Sequence, residues 1–278
     1  MDTALLQTKA ETLRALHVPG DPLLLLNAWD AASAVVIARA GASAIASTSA
    51  GAANALGYAD GQHLTREQML AAVAPIAAAV DVPVTADMEA GYGDAPEAAA
   101  ATALGVIGVG AVGLNLEDTA DDGFEPLLEV ARFVAKITAI REATRAAGVE
   151  IVINARTDIF IGGVGDPATR LERAIERGRA YLDAGADCIF VPAVDATLIG
   201  ALVEGIDGPV SVLAGAGSPS LAELARLGIA RISVGSGAYR SVLALARQMA
   251  EAAYGAGNLD AMLAAQVPFD EIQAFFAK

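Results

Sequence analysis

Eight short β-type runs recur along the chain, separated by helical stretches, and this alternation limits the architectures open to it. The runs are "LLLLNA" (23–28), "SAIAST" (43–48), "VPVTAD" (82–87), "AVGLNLE" (111–117), "EIVINAR" (150–156), "CIFVPA" (188–193), "VSVLAG" (210–215) and "RISVGS" (231–236). They are continuously apolar rather than alternating, as parallel strands covered on both faces are. Segments of helical period lie between them at 64–80, 95–109, 126–147, 167–185, 195–204 and 218–228. Gly-containing turns such as "ARAGAS", "LDAGAD" and "ARLGIA" suit the left-handed residue that ends a helix before the next strand. Eight evenly spaced βα units predict a (β/α)8 TIM barrel, with a doubly wound sheet as the alternative. A long helix at 238–255 and two shorter segments follow the eighth run and read as extra C-terminal helices. No linker or internal repeat breaks the chain, so residues 1–278 are expected to form a single domain, with 238–278 as its C-terminal helices.

With 55% hydrophobic residues in 278, a large core is available. The net charge of −15 disfavours nucleic acid and anionic membrane as partners, because both are polyanions. A single cysteine, Cys188, permits no internal disulfide, and the N-terminus lacks a basic segment leading into an apolar core. A cytoplasmic location is the expectation.

In a barrel of this kind the chemistry gathers at the carboxyl ends of the strands. Acids fall there repeatedly. The loop after the second run carries Asp60, the third run ends in "TADMEAGYG" with Asp87 and Glu89, the fourth in "NLED" with Glu117 and Asp118, and the fifth in "NARTD" with Arg156 and Asp158. Two residues apart at a strand end, Asp87 and Glu89 are expected to point the same way. Like charges gathered at one mouth repel unless a cation sits among them. Oxygen-only donors suit a hard ion, Mg²⁺ or Mn²⁺. For Asp118 and Asp158, capping of the next helix is an equally open reading.

These residues resemble the isocitrate lyase/phosphoenolpyruvate mutase superfamily. "NAWDAASA" (27–34), "STSAG" followed by "LGYAD" (56–60), "TADMEAGYG", "NLED" and "NARTD" occur in that family's order, and the resemblance spans roughly residues 20–245. It implies a barrel that binds Mg²⁺ and small 2-oxo or 2-hydroxy carboxylates. It also implies assembly as a homodimer or homotetramer, with C-terminal helices exchanged between subunits. Carried onto this chain, Asp87 is the principal metal ligand, and Asp60, Glu89 and Glu117 hold the metal through water. Arg156 pairs with the substrate carboxylate or its developing oxyanion. Ser49, with the backbone of Ala50 and Gly51, receives the other carboxylate oxygen; Ser47 is the alternative register. Trp29 and Asp30 shape the pocket floor.

The departures narrow the chemistry. Carbon–carbon lyases of the family carry a Lys-Lys-Cys-Gly-His loop after the fourth strand, and phosphonate-cleaving members a Lys-x-Asn or Thr-x-Asn there. Here the segment is "DTADDGFEPLLEVARF", without Lys, Cys, His or Asn. Cys188 lies inside an apolar run, where a small buried thiol is expected. What remains is enolate chemistry: loss of a β-carboxylate, which needs no enzymic base, or a retro-aldol or retro-Claisen cleavage of a related substituted acid if some residue supplies one. The expectation is a Mg²⁺-dependent lyase or decarboxylase acting on a small 2-oxo acid such as oxaloacetate through an enolate, with Arg156, Asp60, Glu117 and Tyr92 as catalytic candidates. Water, Tyr58 or Tyr92 could supply the proton. The alternatives are a P–C bond enzyme of the phosphonopyruvate type and a barrel that binds pyruvate or 2-oxoglutarate without turnover. His17 reads as structural or solvated. His63 is near the mouth, and "VGSGAYR" (234–240) is a tight strand-to-helix turn or an anion cradle.

Overall fold

The computed structural model of the chain describes residues 2–120 and 123–277. In chain order the strands are β1 (Leu23–Leu25), β2 (Asn27–Ala28), β3 (Ile45–Ser47), β4 (Val84–Asp87), β5 (Gly113–Glu117), β6 (Thr119–Ala120), β7 (Gly123–Leu127), β8 (Val152–Arg156), β9 (Cys188–Phe190), β10 (Val210–Leu213) and β11 (Arg231–Ser233). The helices are α1 (Thr3–Ala15), α2 (Ala31–Arg39), α3 (Ser49–Ala55), α4 (Arg66–Ala79), α5 (Pro96–Gly108), α6 (Val130–Ala146), α7 (Arg170–Asp183), α8 (Ile199–Ile206), α9 (Leu221–Arg226), α10 (Gly237–Glu251), α11 (Asp260–Ala264) and α12 (Phe269–Phe276).

Nine strand segments form one parallel sheet in the order β1-β11-β10-β9-β8-β5-β4-β3-β2. The two ends of that order, β1 and β2, are separated in the chain only by Leu26, so they are two halves of one stave. β1 pairs with β11 and β2 with β3, which closes the sheet on itself as a barrel of eight staves. The eight apolar runs thus become the eight staves, as expected. β6 and β7 form a separate antiparallel hairpin after β5.

α1 lies across the amino-terminal end. Arg14 donates to the carbonyls of Glu150 and Ile151 and pairs with Asp187 at 2.7 Å. The interior is more polar than the branched apolar filling usual in such barrels. The register aligns Asp87 with Asn115, Asn115 with Asn154, Glu117 with Arg156, and Ser211 with Arg231. Paired residues of parallel strands point to the same side of a sheet, so these side chains project together into the barrel.

The outer layer is incomplete beside the first stave. Leu24 and Leu26 are 37% and 40% exposed although parallel strands are ordinarily covered on both faces. They line a groove of about 610 Å³ with Leu16, Val18, Val36 and Ile37. α10 leaves β11 with Tyr239 buried, but its Val242 and Leu243 are half exposed, and α11 and α12 bury no residue. The long helix expected over 238–255 is α10 continued by a π-helical turn over Ala252–Ala256.

Candidate active site

The carboxyl ends of β3, β4, β5 and β8 bring four of the predicted acids to one mouth. Ser47 ends β3, and its hydroxyl accepts from the Asp87 amide at 2.8 Å. The chain then turns into α3, capped by Thr48, whose Oγ1 accepts from the Gly51 amide. This turn aims the Ser49 amide and hydroxyl at Asp87 Oδ2, at 3.0 and 2.8 Å. Asn115 on β5 donates to Asp87 Oδ1 at 3.2 Å. Both oxygens of Asp87 are therefore oriented by neutral donors from two neighbouring staves. Gly51 is needed as glycine, since a Cβ there would lie 2.7 Å from Thr48 Cγ2 and 2.9 Å from Trp29 Cβ. Trp29 packs edge-on against Tyr239, with ring centroids 5.3 Å apart. Asp30 caps α2 in a reciprocal arrangement with Ser33 and is spent on that task.

Asp87 is the last residue of β4, so strand alternation stops governing side-chain direction before Glu89. The expected parallel projection of the two acids does not arise from alternation. Glu89 has φ +51°, and its carboxylate reaches sideways. Its Oε1 accepts from the amides of Gly61 and Gln62 at 3.1 and 2.6 Å, and its Oε2 from Tyr92 Oη at 2.6 Å. Gln62 Oε1 in turn accepts from the Tyr92 amide at 3.0 Å. Gln62 and Tyr92 also have positive φ, 57° and 59°. Such residues each cost about 1 kcal/mol or more, and strain of this kind concentrates where a site must be held in one shape. Glu89 thus locks the loop carrying Asp60 to the loop after β4.

Arg156 ends β8 opposite Glu117. Its Nη1 lies 2.7 Å from Glu117 Oε2, a charge contact off the line of a hydrogen bond, and its Nε donates to Asp158 Oδ1. Neither Asp118 nor Asp158 caps a helix. Asp158 pairs with Arg156, and its amide donates to Asp118 Oδ1. Asp118 is fully buried and accepts from Arg177 at 2.9 Å and Tyr181 Oη at 2.7 Å.

The charges respond to this crowding. Burial raises the Glu117 carboxyl well above the usual carboxylate range, against the opposing pull of Arg156, with Asp158 and Asp87 adding to the rise. Burial also raises Glu89, against its hydrogen bonds. Asp60 keeps solvent access at the rim, yet the protein crowding its inner side raises it, and Asp87 adds to that. For Arg156, burial alone would favour the neutral form; Glu117 and Asp158 outweigh it and hold the guanidinium charged. Tyr92 is raised by burial and by Glu89, so its phenol is a poor acid whose proton is already committed.

Three acids destabilised by burial and by one another, offering only oxygen donors, fit a hard cation. Among the described residues no three acids, histidines or cysteines gather closely enough to ligate one ion together. The arrangement matches the habit of Mg²⁺, which takes one or two carboxylates and completes its shell with water and substrate oxygens. Asp87 stands at the centre of the set, with Asp60, Glu117 and Glu89 around it.

Cys188 is fully buried and its thiol is pushed up to about 12 by desolvation. His17 is buried rather than solvated, and His63 is exposed. "VGSGAYR" spans the turn from β11 into α10, with Ser236 before the helix and Arg240 exposed on it. Part of the segment after Glu117, residues 121–122, lies outside the described residues. Sequence patterns did not single out Asn115, Gln62 or Arg231. Asn115 is visible in retrospect as the polar residue inside "GLNLE", two before Glu117 and therefore on the same face.

Residues 13–254 match the family model described as phosphoenolpyruvate phosphomutase. A protein of Burkholderia cenocepacia J2315 with a provisional lyase/mutase assignment superposes with a TM-score of 0.90 at 36% identity, covering 99% of this chain and 98% of its own. The phosphoenolpyruvate phosphomutase of Streptomyces hygroscopicus is 30% identical over 250 residues, 85% of this chain and 77% of that one. The fold is also that of phosphonopyruvate hydrolase in complex with oxalate and Mg²⁺, with a TM-score of 0.85 at 24% identity over 96% of this chain and 94% of that one. Relatives by sequence include 2-methylisocitrate lyase of Escherichia coli and phosphonopyruvate hydrolase of a Variovorax strain, so the relatives comprise lyases, mutases and hydrolases. The chain belongs to the phosphoenolpyruvate phosphomutase family, within the phosphoenolpyruvate mutase/isocitrate lyase superfamily of enzymes.

Proposed function

We propose that the chain is a Mg²⁺-dependent lyase or decarboxylase of small 2-oxo or 2-hydroxy carboxylates, with oxaloacetate as the simplest substrate and Mn²⁺ as an alternative ion. The observation that carries the reading is the acid-lined mouth around Asp87, with Arg156 held charged beside it and no Lys, Cys or His in the segment after Glu117. Mg²⁺, when bound, supplies a Lewis-acid charge to the substrate oxygens. Asp87 would hold the ion, and Asp60, Glu89 and Glu117 around it would hold the waters that complete its shell. Arg156 receives the substrate carboxylate and stabilises the negative charge that develops on the 2-oxo oxygen. The Ala50 amide in the first turn of α3 receives the remaining carboxylate oxygen, since the Ser49 amide and hydroxyl already donate to Asp87 and the Gly51 amide to Thr48 Oγ1, and Trp29 closes that side.

Loss of a β-carboxylate as CO₂ requires no base. The C–C bonding pair passes into the enolate, and C3 then takes a proton from water entering at the Asp60 rim, giving pyruvate. Tyr92 takes part by fixing Glu89, since its own proton is engaged there.

Titration calorimetry with Mg²⁺ and oxalate, beside turnover of oxaloacetate, 2-methylisocitrate and phosphonopyruvate, tests this. Release of phosphate from phosphonopyruvate alone would move the reading to P–C chemistry. Binding without turnover of any of these would make the chain a 2-oxo acid binding barrel, and no Mg²⁺ binding would remove the reading altogether.

We also infer that α10 to α12 are exchanged with a second copy in a homodimer or homotetramer. The apolar groove beside Leu24 and Leu26 is where an eighth barrel helix would pack, and α10 carries exposed Val242 and Leu243 that match it in chemistry.

A further inference from the structure

Arg231 begins β11, in register with Ser211 and Leu23, and points into the barrel. It is fully buried, yet among the described residues no carboxylate pairs with it. A lone buried charge is costly, and even paired buried charges can often be replaced by apolar side chains of similar volume without loss of stability. Its presence in the centre of the barrel therefore asks for a task, and its contacts supply one. Nη2 donates to Asn115 Oδ1 at 3.1 Å. Nη1 faces His17 Nε2 at 3.5 Å. His17 Nδ1 lies 2.8 Å from the Leu13 carbonyl, which can only accept, so Nδ1 carries the proton and Nε2 presents its lone pair to the guanidinium. Burial and the nearby Arg231 lower the His17 pKa to about 4, which keeps the ring neutral.

Asn115 Oδ1 also accepts from Asn154 Nδ2 at 2.8 Å. Two donors on one oxygen fix which way the amide faces, since the flipped amide would set its NH₂ against both. So fixed, its Nδ2 can only face Asp87 Oδ1. A relay of oriented groups runs from α1 at the closed end, through His17, Arg231 and Asn115, to the acid at the centre of the mouth.

We propose that Arg231 is a positioning residue: from inside the barrel it locks the Asn115 amide, and through it the rotamer of Asp87 that the open mouth requires. The consequence for metal binding rests on the functional reading above, but the lock on Asn115 does not. A bare charge would have the opposite effect, because a cation held beneath the mouth repels a second cation above it.

The test compares Arg231→Met, Arg231→Lys, Asn115→Ala and the double variant Arg231→Met/Asn115→Ala. Hydrogen exchange of the Asn115 side-chain amide by NMR reports the lock in the absence of any ligand. It is expected to speed at least tenfold in Arg231→Met, and likewise in Arg231→Lys, which keeps the charge but loses the planar fork. The Kd for Mg²⁺ with oxalate is expected to rise about tenfold or more in Arg231→Met, with no further rise on adding it to Asn115→Ala, as residues acting in series are non-additive. Tighter Mg²⁺ binding in Arg231→Met, wild-type behaviour of Arg231→Lys, or unchanged Asn115 exchange would overturn the proposal. If Arg231→Met does not fold, Arg231→Lys decides by the same two readouts. If the wild type binds no Mg²⁺, the functional reading falls, and the exchange of Asn115 alone decides the lock.

Discussion

Glu117 and Arg156 are register partners on neighbouring staves, and Arg156 Nη1 lies 2.7 Å from Glu117 Oε2. The same guanidinium also pairs with Asp158, so one cation is shared between two acids and is presented to the mouth charged. Arg156→Lys keeps a charge but cannot serve both acids and a substrate carboxylate. It is expected to lower kcat/KM for oxaloacetate by roughly 10²-fold or more, about 3 kcal/mol, as for a lost oxyanion-stabilising donor. Steady-state kinetics checks this, and a variant within a few-fold of wild type would remove Arg156 from the reaction.

The raised Glu117, Glu89 and Asp60 carboxyls set the pH dependence. A carboxyl whose pKa is higher in the folded chain binds more protons folded than unfolded, so its contribution to stability is present below the ordinary carboxylate range and is lost as pH rises through the folded value. Mg²⁺ relieves the same repulsion and competes with those protons. The rise in Tm on adding Mg²⁺ is therefore expected to grow as pH increases from about 5 to 7.5, which thermal melts in that window will show. A shift that shrinks with pH would mean the ion binds elsewhere.

Tyr92→Phe leaves Glu89 Oε2 without its donor. An unsatisfied buried acceptor costs roughly 1–3 kcal/mol, so the expected result is a lower Tm and weaker Mg²⁺ binding, with kcat at saturation reduced less than about tenfold. A kcat loss of several hundredfold with Mg²⁺ affinity unchanged would make Tyr92 the proton donor instead.

Cys188 is expected to be inert. Its buried thiol, held at about 12, should not react with iodoacetamide in the native protein. Cys188→Ala should keep activity within a few-fold, at a stability cost of roughly 1–2 kcal/mol for the small cavity. Complete loss of activity with an intact fold would show that the thiol takes part.

Leu26→Asp places a charge in the exposed groove beside the first stave. Sedimentation velocity is expected to show the wild type as a dimer or tetramer and the variant shifted toward monomer. A wild-type monomer would contradict helix exchange.

The barrel was legible because parallel strands need apolar side chains on both faces, and eight such runs stand out against helical spacers. Asp87 and Glu117 were legible because each ends a strand, where barrel geometry collects side chains, and Asp60 and Glu89 because their loops follow such ends. Glu89 was only half legible: its position follows from the motif, but its sideways reach depends on a left-handed backbone that alternation cannot foretell. For Asp118 and Asp158 the sequence left a helix-cap role as open as a site role, because capping is a local pattern, whereas their partners Arg177, Tyr181 and Arg156 are brought in by packing and register. Arg231 was hidden for the same reason. It stands first in the eighth run, "RISVGS", where sequence patterns gave it no role, and only barrel closure turns it inward.

The measurement that tests the central claim most directly is pyruvate release from oxaloacetate with Mg²⁺, in the wild type, in the wild type with EDTA, and in Asp87→Ala. Free Mg²⁺ decarboxylates oxaloacetate slowly without protein, so the variant with Mg²⁺ is the decisive control. Rapid release by the wild type, falling to the background rate with EDTA and in Asp87→Ala, is the predicted result. Equal rates for wild type and Asp87→Ala would contradict it.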